Sequence, residues 1–132
     1  MMIRRTFLAL AALIFIAACE QPATPAAPTG DISQAELLAR IEAGNAPLIL
    51  DVRGVDEYAE GHLPGAINIP HTEIAERINE LGIGQTDEIV IHCYSGKRAG
   101  MAEQTLQAAG FENIRMLDGQ WQGWEAAGLP TE

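Results

Sequence analysis

Cys93 is the residue in this sequence best placed to do chemistry. It ends an apolar run, Ile89-Val90-Ile91-His92, and is followed by Tyr94-Ser95-Gly96-Lys97-Arg98 and then by a helical pattern. The run reads as a buried strand, and in open α/β sheets ligands bind just beyond the carboxyl ends of the strands. A short loop entering a helix turns several backbone N–H groups toward one point, where the helix dipole also favours negative charge. Gly96 removes the steric cost of the positive φ that such a cradle needs, and Lys97 and Arg98 add two positive charges. Each effect favours a thiolate over a thiol, which makes Cys93 a candidate nucleophile near neutral pH. Taken alone, a single cysteine reads as an inert buried hydrophobe; loop, helix and cations together reverse that reading.

Other residues invite weaker readings. Asp51 and Arg53 close the earlier apolar run from Leu48 to Val52, which sends them to the same rim as Cys93. They read either as support for the site or as a purely structural ion pair, with Glu57 a further partner for Arg53. His92 precedes the thiol, and strand alternation sends the two side chains to opposite faces. A packed, hydrogen-bonded histidine is therefore expected, not a general base or half of a metal pair. His62 and His71 are too far apart in sequence to suggest a ligand set, and His62 is expected to brace the turn from Gly61 to Pro64. Trp121 and Trp124 have the spacing of a packed helix face. Glu73, Glu76 and Glu80 read as solvated surface.

These residues must be positioned by alternating strands and helices. Ser33-Gln34-Ala35-Glu36 is a capping box, with Ile32 and Leu37 at staple spacing. Leu37, Leu38 and Ile41 then mark a helix face that Gly44 brings to a stop. Strands are expected over Leu48–Val52, Ala66–Ile69, Ile89–Cys93 and Asn113–Leu117. Between them the pattern predicts a helical turn over Val55–Glu60 and helices over Thr72–Leu81, Ala99–Ala109 and Trp121–Ala127. Such alternation specifies an α/β fold, an open and mostly parallel sheet with helices on both faces.

The amino terminus is read separately. Arg4 and Arg5 precede an unbroken apolar run from Phe7 to Ala18, too short for the roughly 20 residues that span a bilayer. The pattern is that of a secretory leader over residues 1–18. It closes on Ile16-Ala17-Ala18-Cys19, which resembles the lipobox of bacterial lipoproteins, in which the cysteine carries the acyl chains. The alternative is an ordinary leader cut near a cysteine. Residues 19–30, with Pro22, Pro25 and Pro28, read as a semi-stiff tether to a domain over residues 31–132. The expected location is the bacterial cell envelope, lipid-anchored and facing the periplasm. Loss of Arg4 and Arg5 with the leader takes the net charge from −10 to −12. Eighteen acids against eight bases, with only 5% aromatic residues, exclude a broadly basic or base-stacking nucleic-acid surface.

Several runs carry a family resemblance: Asp51-Val52-Arg53, Glu57-Tyr58, the stretch Gly61-His62-Leu63-Pro64-Gly65-Ala66-Ile67-Asn68-Ile69-Pro70, the Cys93-to-Arg98 loop, and the late Gly119 and Trp124. Over roughly residues 32–130 the chain resembles a single-domain rhodanese, a thiosulfate sulfurtransferase. The resemblance implies that Cys93 attacks the outer sulfur of a small anionic donor such as thiosulfate and holds it as a persulfide. The sulfur then passes to a thiophilic acceptor: cyanide, a thiol or a protein. It implies further that the loop amides of Tyr94, Ser95, Gly96, Lys97, Arg98 and Ala99 cradle the persulfide, that Lys97 and Arg98 draw in the donor, and that Asp51 and Arg53 lie near the site. No metal or organic cofactor is implied. The spacing Cys-x4-Arg is one residue shorter than the Cys-x5-Arg loop of tyrosine phosphatases, which sets phosphatase or arsenate chemistry well behind. A non-catalytic rhodanese-like module, carrying sulfur or binding a partner, remains the alternative. One departure stands out: many rhodaneses have two glycines before the last helix, whereas here Gly119 is followed by Gln120, a side chain expected to narrow the entrance.

Overall fold

Two short apolar strands, β1 (Leu48–Asp51) and β3 (Ile89–His92), form the centre of the domain in a computed structural model that describes residues 30–132. The leader, Cys19 and all of the tether but Gly30 lie outside these residues. β1 pairs with β3 in parallel from Leu48↔Ile89 to Asp51↔His92. The edge strands β2 (Ile67–Asn68) and β4 (Ile114–Met116) complete a four-stranded sheet in the order β2-β1-β3-β4, parallel throughout. The connecting helices are α1 (Gln34–Glu42), α2 (Val55–Glu60), α3 (Ile74–Arg77), α4 (Lys97–Ala108) and α5 (Gln120–Ala126).

Alternation along β1 and β3 divides the core in two. Leu50, Ile89, Ile91 and Cys93 face Ile74 of α3 and Ala99, Ala102 and Leu106 of α4. Ile49 and Val90 face Leu37 of α1 and Trp121 and Trp124 of α5. Both faces are covered, as the sequence pattern predicts, and a one-residue slip would exchange the two sets of side chains. The register that places Cys93 at the end of β3 is thereby fixed.

Four expectations need correction. Ser33 caps α1, accepting the Glu36 N–H at 3.1 Å, but Glu36 does not reach back to complete the box: its carboxylate takes Arg115 at 2.8 Å. The helix expected over Thr72–Leu81 is broken into 3₁₀ turns at His71–Glu73 and Ile78–Leu81 on either side of α3. The breaks fall at Glu73 and Arg77, whose ψ angles of −2° and 2° leave the helical well. Arg77 spans them, pairing with Glu73 at 2.7 Å and Glu80 at 3.0 Å, so those acids are partnered surface and not merely solvated. Finally, α4 begins at Lys97, two residues before the predicted start, which shortens the loop after Cys93.

Candidate active site

Cys93 leaves the carboxyl end of β3, and only Tyr94, Ser95 and Gly96 separate it from α4. Gly96 makes this tight connection possible with φ of +107°, a region that side-chain-bearing residues rarely enter. Its N–H points back and donates to Cys93 Sγ at 3.0 Å. The sulfur therefore sits at the start of α4, where free backbone N–H groups carry partial positive charge. Cys93 is 1% exposed and belongs to the core cluster on the α4 side.

The backbone around the thiol is held from α5. The Cys93 N–H donates to Gln120 Oε1 at 2.9 Å, the Cys93 carbonyl accepts the Trp121 N–H at 3.0 Å, and the Tyr94 carbonyl accepts the Gln122 N–H at 3.1 Å. Gln120 does not protrude to narrow the entrance, as the sequence suggested. It is 7% exposed and turned inward.

The predicted loop residues separate into distinct environments. Tyr94 and Ser95 are exposed at the tip, and Ala99 is buried in the same cluster as Cys93. Lys97 and Arg98 belong to the first turn of α4 and not to the loop. Lys97 is exposed, whereas Arg98 is tied to Glu57 by bonds of 2.6 and 2.9 Å. Those bonds hold the Glu57 carboxyl down to about 2, helped by the Gly54 N–H against the cost of burial. Arg98 is held above the usual guanidinium range, first by Glu57 and in smaller part by the Cys93 sulfur.

Asp51 and Arg53 form a brace behind the site. Arg53 Nη2 donates to Asp51 Oδ2 and to the Gly61 carbonyl, both at 2.7 Å, and its guanidinium lies 4.2 Å from the Trp121 ring centre. Glu57 is thus the partner of Arg98, not of Arg53. The brace reaches Cys93 from two sides: through Trp121, whose N–H holds the Cys93 carbonyl, and through Asp51, whose carboxylate lies 3.7 Å from His92 Nε2. His92 is fully buried, as expected, but only half hydrogen-bonded: Nδ1 lies 3.2 Å from the Cys93 carbonyl oxygen, and Nε2 has no partner. Burial lowers its pKa against the pull of the Asp51 carboxylate, which keeps the ring neutral. His62 braces its turn, stacking on Tyr58 at 3.7 Å between ring centres. Among the described residues no three His, Cys, Asp or Glu side chains are grouped to hold a metal ion.

Comparison with known proteins agrees with this geometry. The family model described as "Rhodanese-like domain" matches residues 33–127. The chain belongs to the rhodanese family. It is 38% identical over 84 residues to the putative sulfur carrier protein YrkF of Bacillus subtilis, covering 64% of this chain and 44% of that one. It is 45% identical over 108 residues to the HTH-type transcriptional regulator Rv0324 of Mycobacterium tuberculosis, covering 80% and 46%. The chain thus spans less than half the length of either relative. With the thiosulfate sulfurtransferase PspE of Escherichia coli it shares 33% identity over 70 residues, covering 53% and 67%. Among solved structures, the human single-domain sulfurtransferase TSTD1 superposes with a TM-score of 0.66 at 27% identity, covering 75% and 97%.

Within this rhodanese domain, the Gly61-to-Pro70 run carries the resemblance but makes none of the bonds to Cys93. Two residues bear on the site in roles other than those the sequence suggested. Glu57 lies 41 residues from Arg98, and no local pattern links them. Gln120 did leave a signal, since it departs from the double glycine of the family.

Proposed function

We propose that this rhodanese domain is a sulfurtransferase that carries a sulfane sulfur on Cys93. The Gly96 N–H bonded to Cys93 Sγ at the start of α4 is the observation that supports this most directly. In the proposed cycle the Cys93 thiolate attacks the outer sulfur of thiosulfate and a new S–S bond forms. Sulfite leaves with the electron pair of the old bond. An acceptor nucleophile then attacks the outer sulfur and the Cys93 thiolate departs; cyanide would yield thiocyanate. The amides at the loop hold the charge that the persulfide brings, and the burial of Cys93 excludes competing water.

Incubation of the reduced protein with thiosulfate is expected to add the mass of one sulfur atom, and Cys93→Ser to abolish the addition. Intact-mass spectrometry showing no adduct on the wild type would falsify the reading. Burial of Cys93 also favours a second reading, a carrier that loads sulfur and hands it on only to a docking protein, in keeping with the name of the YrkF relative. A loaded protein that cyanide cannot discharge would decide for the carrier.

The proposal extends to location: acylation of Cys19 would hold the domain on an envelope membrane, since several acyl chains anchor stably where one does not. Cys19→Ala is expected to move the protein from the membrane to the soluble fraction or to block its processing. Unchanged processing and fractionation would refute the anchor.

A further inference from the structure

β3 and β4 pair through Ile89↔Ile114, Val90↔Arg115 and Ile91↔Met116. The Ile89 N–H donates to the Asn113 carbonyl at 2.9 Å, and the Leu117 N–H donates to the Ile91 carbonyl at 3.0 Å. In an evenly spaced parallel ladder, the next bond of this series joins the Cys93 N–H to the Leu117 carbonyl. That bond is absent, and the Gln120 carboxamide lies between the two groups. Its Oε1 accepts the Cys93 N–H at 2.9 Å and its Nε2 donates to the Leu117 carbonyl at 2.8 Å.

We infer that Gln120 is a positioning residue for Cys93: its carboxamide, inserted between β3 and β4, ends their pairing one step early and turns Cys93 into the loop, with Sγ beneath the Gly96 N–H. A carboxamide offers the acceptor and the donor that this place uses on one planar group. A carboxylate lacks the donor, and a hydrocarbon lacks both. The same side chain lines the space beside Gly96, where an added Cβ would lie 3.6 Å from Gln120. Gln120 is held at φ +56°, the one non-glycine residue with positive φ among those described. L-residues rarely adopt that conformation, and here it directs the side chain inward beneath Cys93.

The functional part of this inference rests on the proposed role of Cys93, so its test has an arm that needs no sulfur chemistry. Gln120→Met keeps the length of the side chain and loses both bonds. Gln120→Gly loses both bonds and removes the left-handed strain, so it provides a folded variant should the first fail to fold. By nuclear magnetic resonance, the Cys93 amide hydrogen is expected to exchange about tenfold faster in either variant, with the Ile91 amide unchanged, since a buried donor has lost its acceptor. In thiosulfate–cyanide assays kcat is expected to fall about tenfold while KM moves less than about twofold, the signature of an interaction that matters in the transition state. A side chain that merely fills space would leave both readouts of Gln120→Met at wild-type values, and that result overturns the inference. So does unchanged Cys93 exchange in Gln120→Gly, or faster exchange with undiminished kcat. A wild type that exchanges as expected but neither loads nor transfers sulfur counts against the sulfurtransferase reading and, with it, against a functional role for Gln120.

Discussion

Arg98 and Glu57, which share bonds of 2.6 and 2.9 Å, set part of the charge beside Cys93. Arg98 brings a positive charge to Cys93, and Glu57 brings its counter-ion. Glu57→Gln keeps the side-chain size and an oxygen for Arg98 while removing the negative charge. Unit charges 4 Å apart interact by about 1 kcal/mol in bulk water, so releasing Arg98 is expected to raise kcat/KM for thiosulfate by up to about fivefold at low salt. The gain is expected to fade with added salt, because the Debye length falls to about 8 Å at 0.15 M ionic strength. A gain that is absent at every ionic strength would show that the pair serves the fold and not the capture of the anion. The same substitution has a signature in acid. The Glu57 carboxyl is held at about 2 against its ordinary 4.5, so it titrates lower in the folded chain than in the unfolded one. The stability it contributes is present above about pH 4.5 and is lost as the pH falls toward 2. Glu57→Gln is therefore expected to flatten the fall in stability across that window, read by urea denaturation at a series of pH values. With 39% of the Glu57 side chain exposed, solvent keeps the effect small.

Elements were legible in the sequence where their signals are local. Ile89-Val90-Ile91-His92 is apolar and β-branched enough to be read as a buried strand, and α2 runs from Val55 to Glu60 as the sequence suggests, closed by Gly61. The place of Cys93 at a strand end followed from those signals alone. What was lost depends on contacts between elements. Lys97 and Arg98 look like loop residues because Gly96 before them has no side-chain oxygen to cap a helix, yet it takes the position before α4 through its backbone conformation alone. The reciprocal half of the α1 capping box fails because Glu36 finds Arg115, 79 residues away, a stronger partner than its own backbone. Asp51 and Arg53, two apart and so on one face of an extended chain, carried a readable hint of their pairing. Nothing local could have shown that Arg53 also reaches the Gly61 carbonyl and the face of Trp121.

Across the whole domain, Cys93 and the ion network that secures the chain lie at opposite ends of the sheet. Cys93 follows β3, whereas Glu88 precedes it and anchors an ion network. Arg115 of β4, 5% exposed, donates to Glu36 at 2.8 Å, to Glu88 at 3.2 Å, and to the carbonyls of Gly30 and Asp31 at 3.1 Å. One side chain thus joins α1, the start of β3 and the first described residues. Arg115→Met keeps much of the aliphatic stem and removes every one of those bonds. Removing one partner of a fully buried pair costs about 3–5 kcal/mol, but Glu36 is 46% exposed and water replaces part of the loss, leaving about 1–2 kcal/mol. For a domain of this size, each 1 kcal/mol shifts Tm by about 4–8 °C. A fall in Tm of about 10 °C is expected by calorimetry, with the rate of sulfur loading on Cys93 within about twofold of wild type well below the transition. None of the Arg115 partners belongs to the loop or to α5, so a lost cation there has no direct route to the thiol. Loading that drops steeply in the folded variant would mean that strain passes along β4 to Leu117, and from its carbonyl through the Gln120 carboxamide to Cys93.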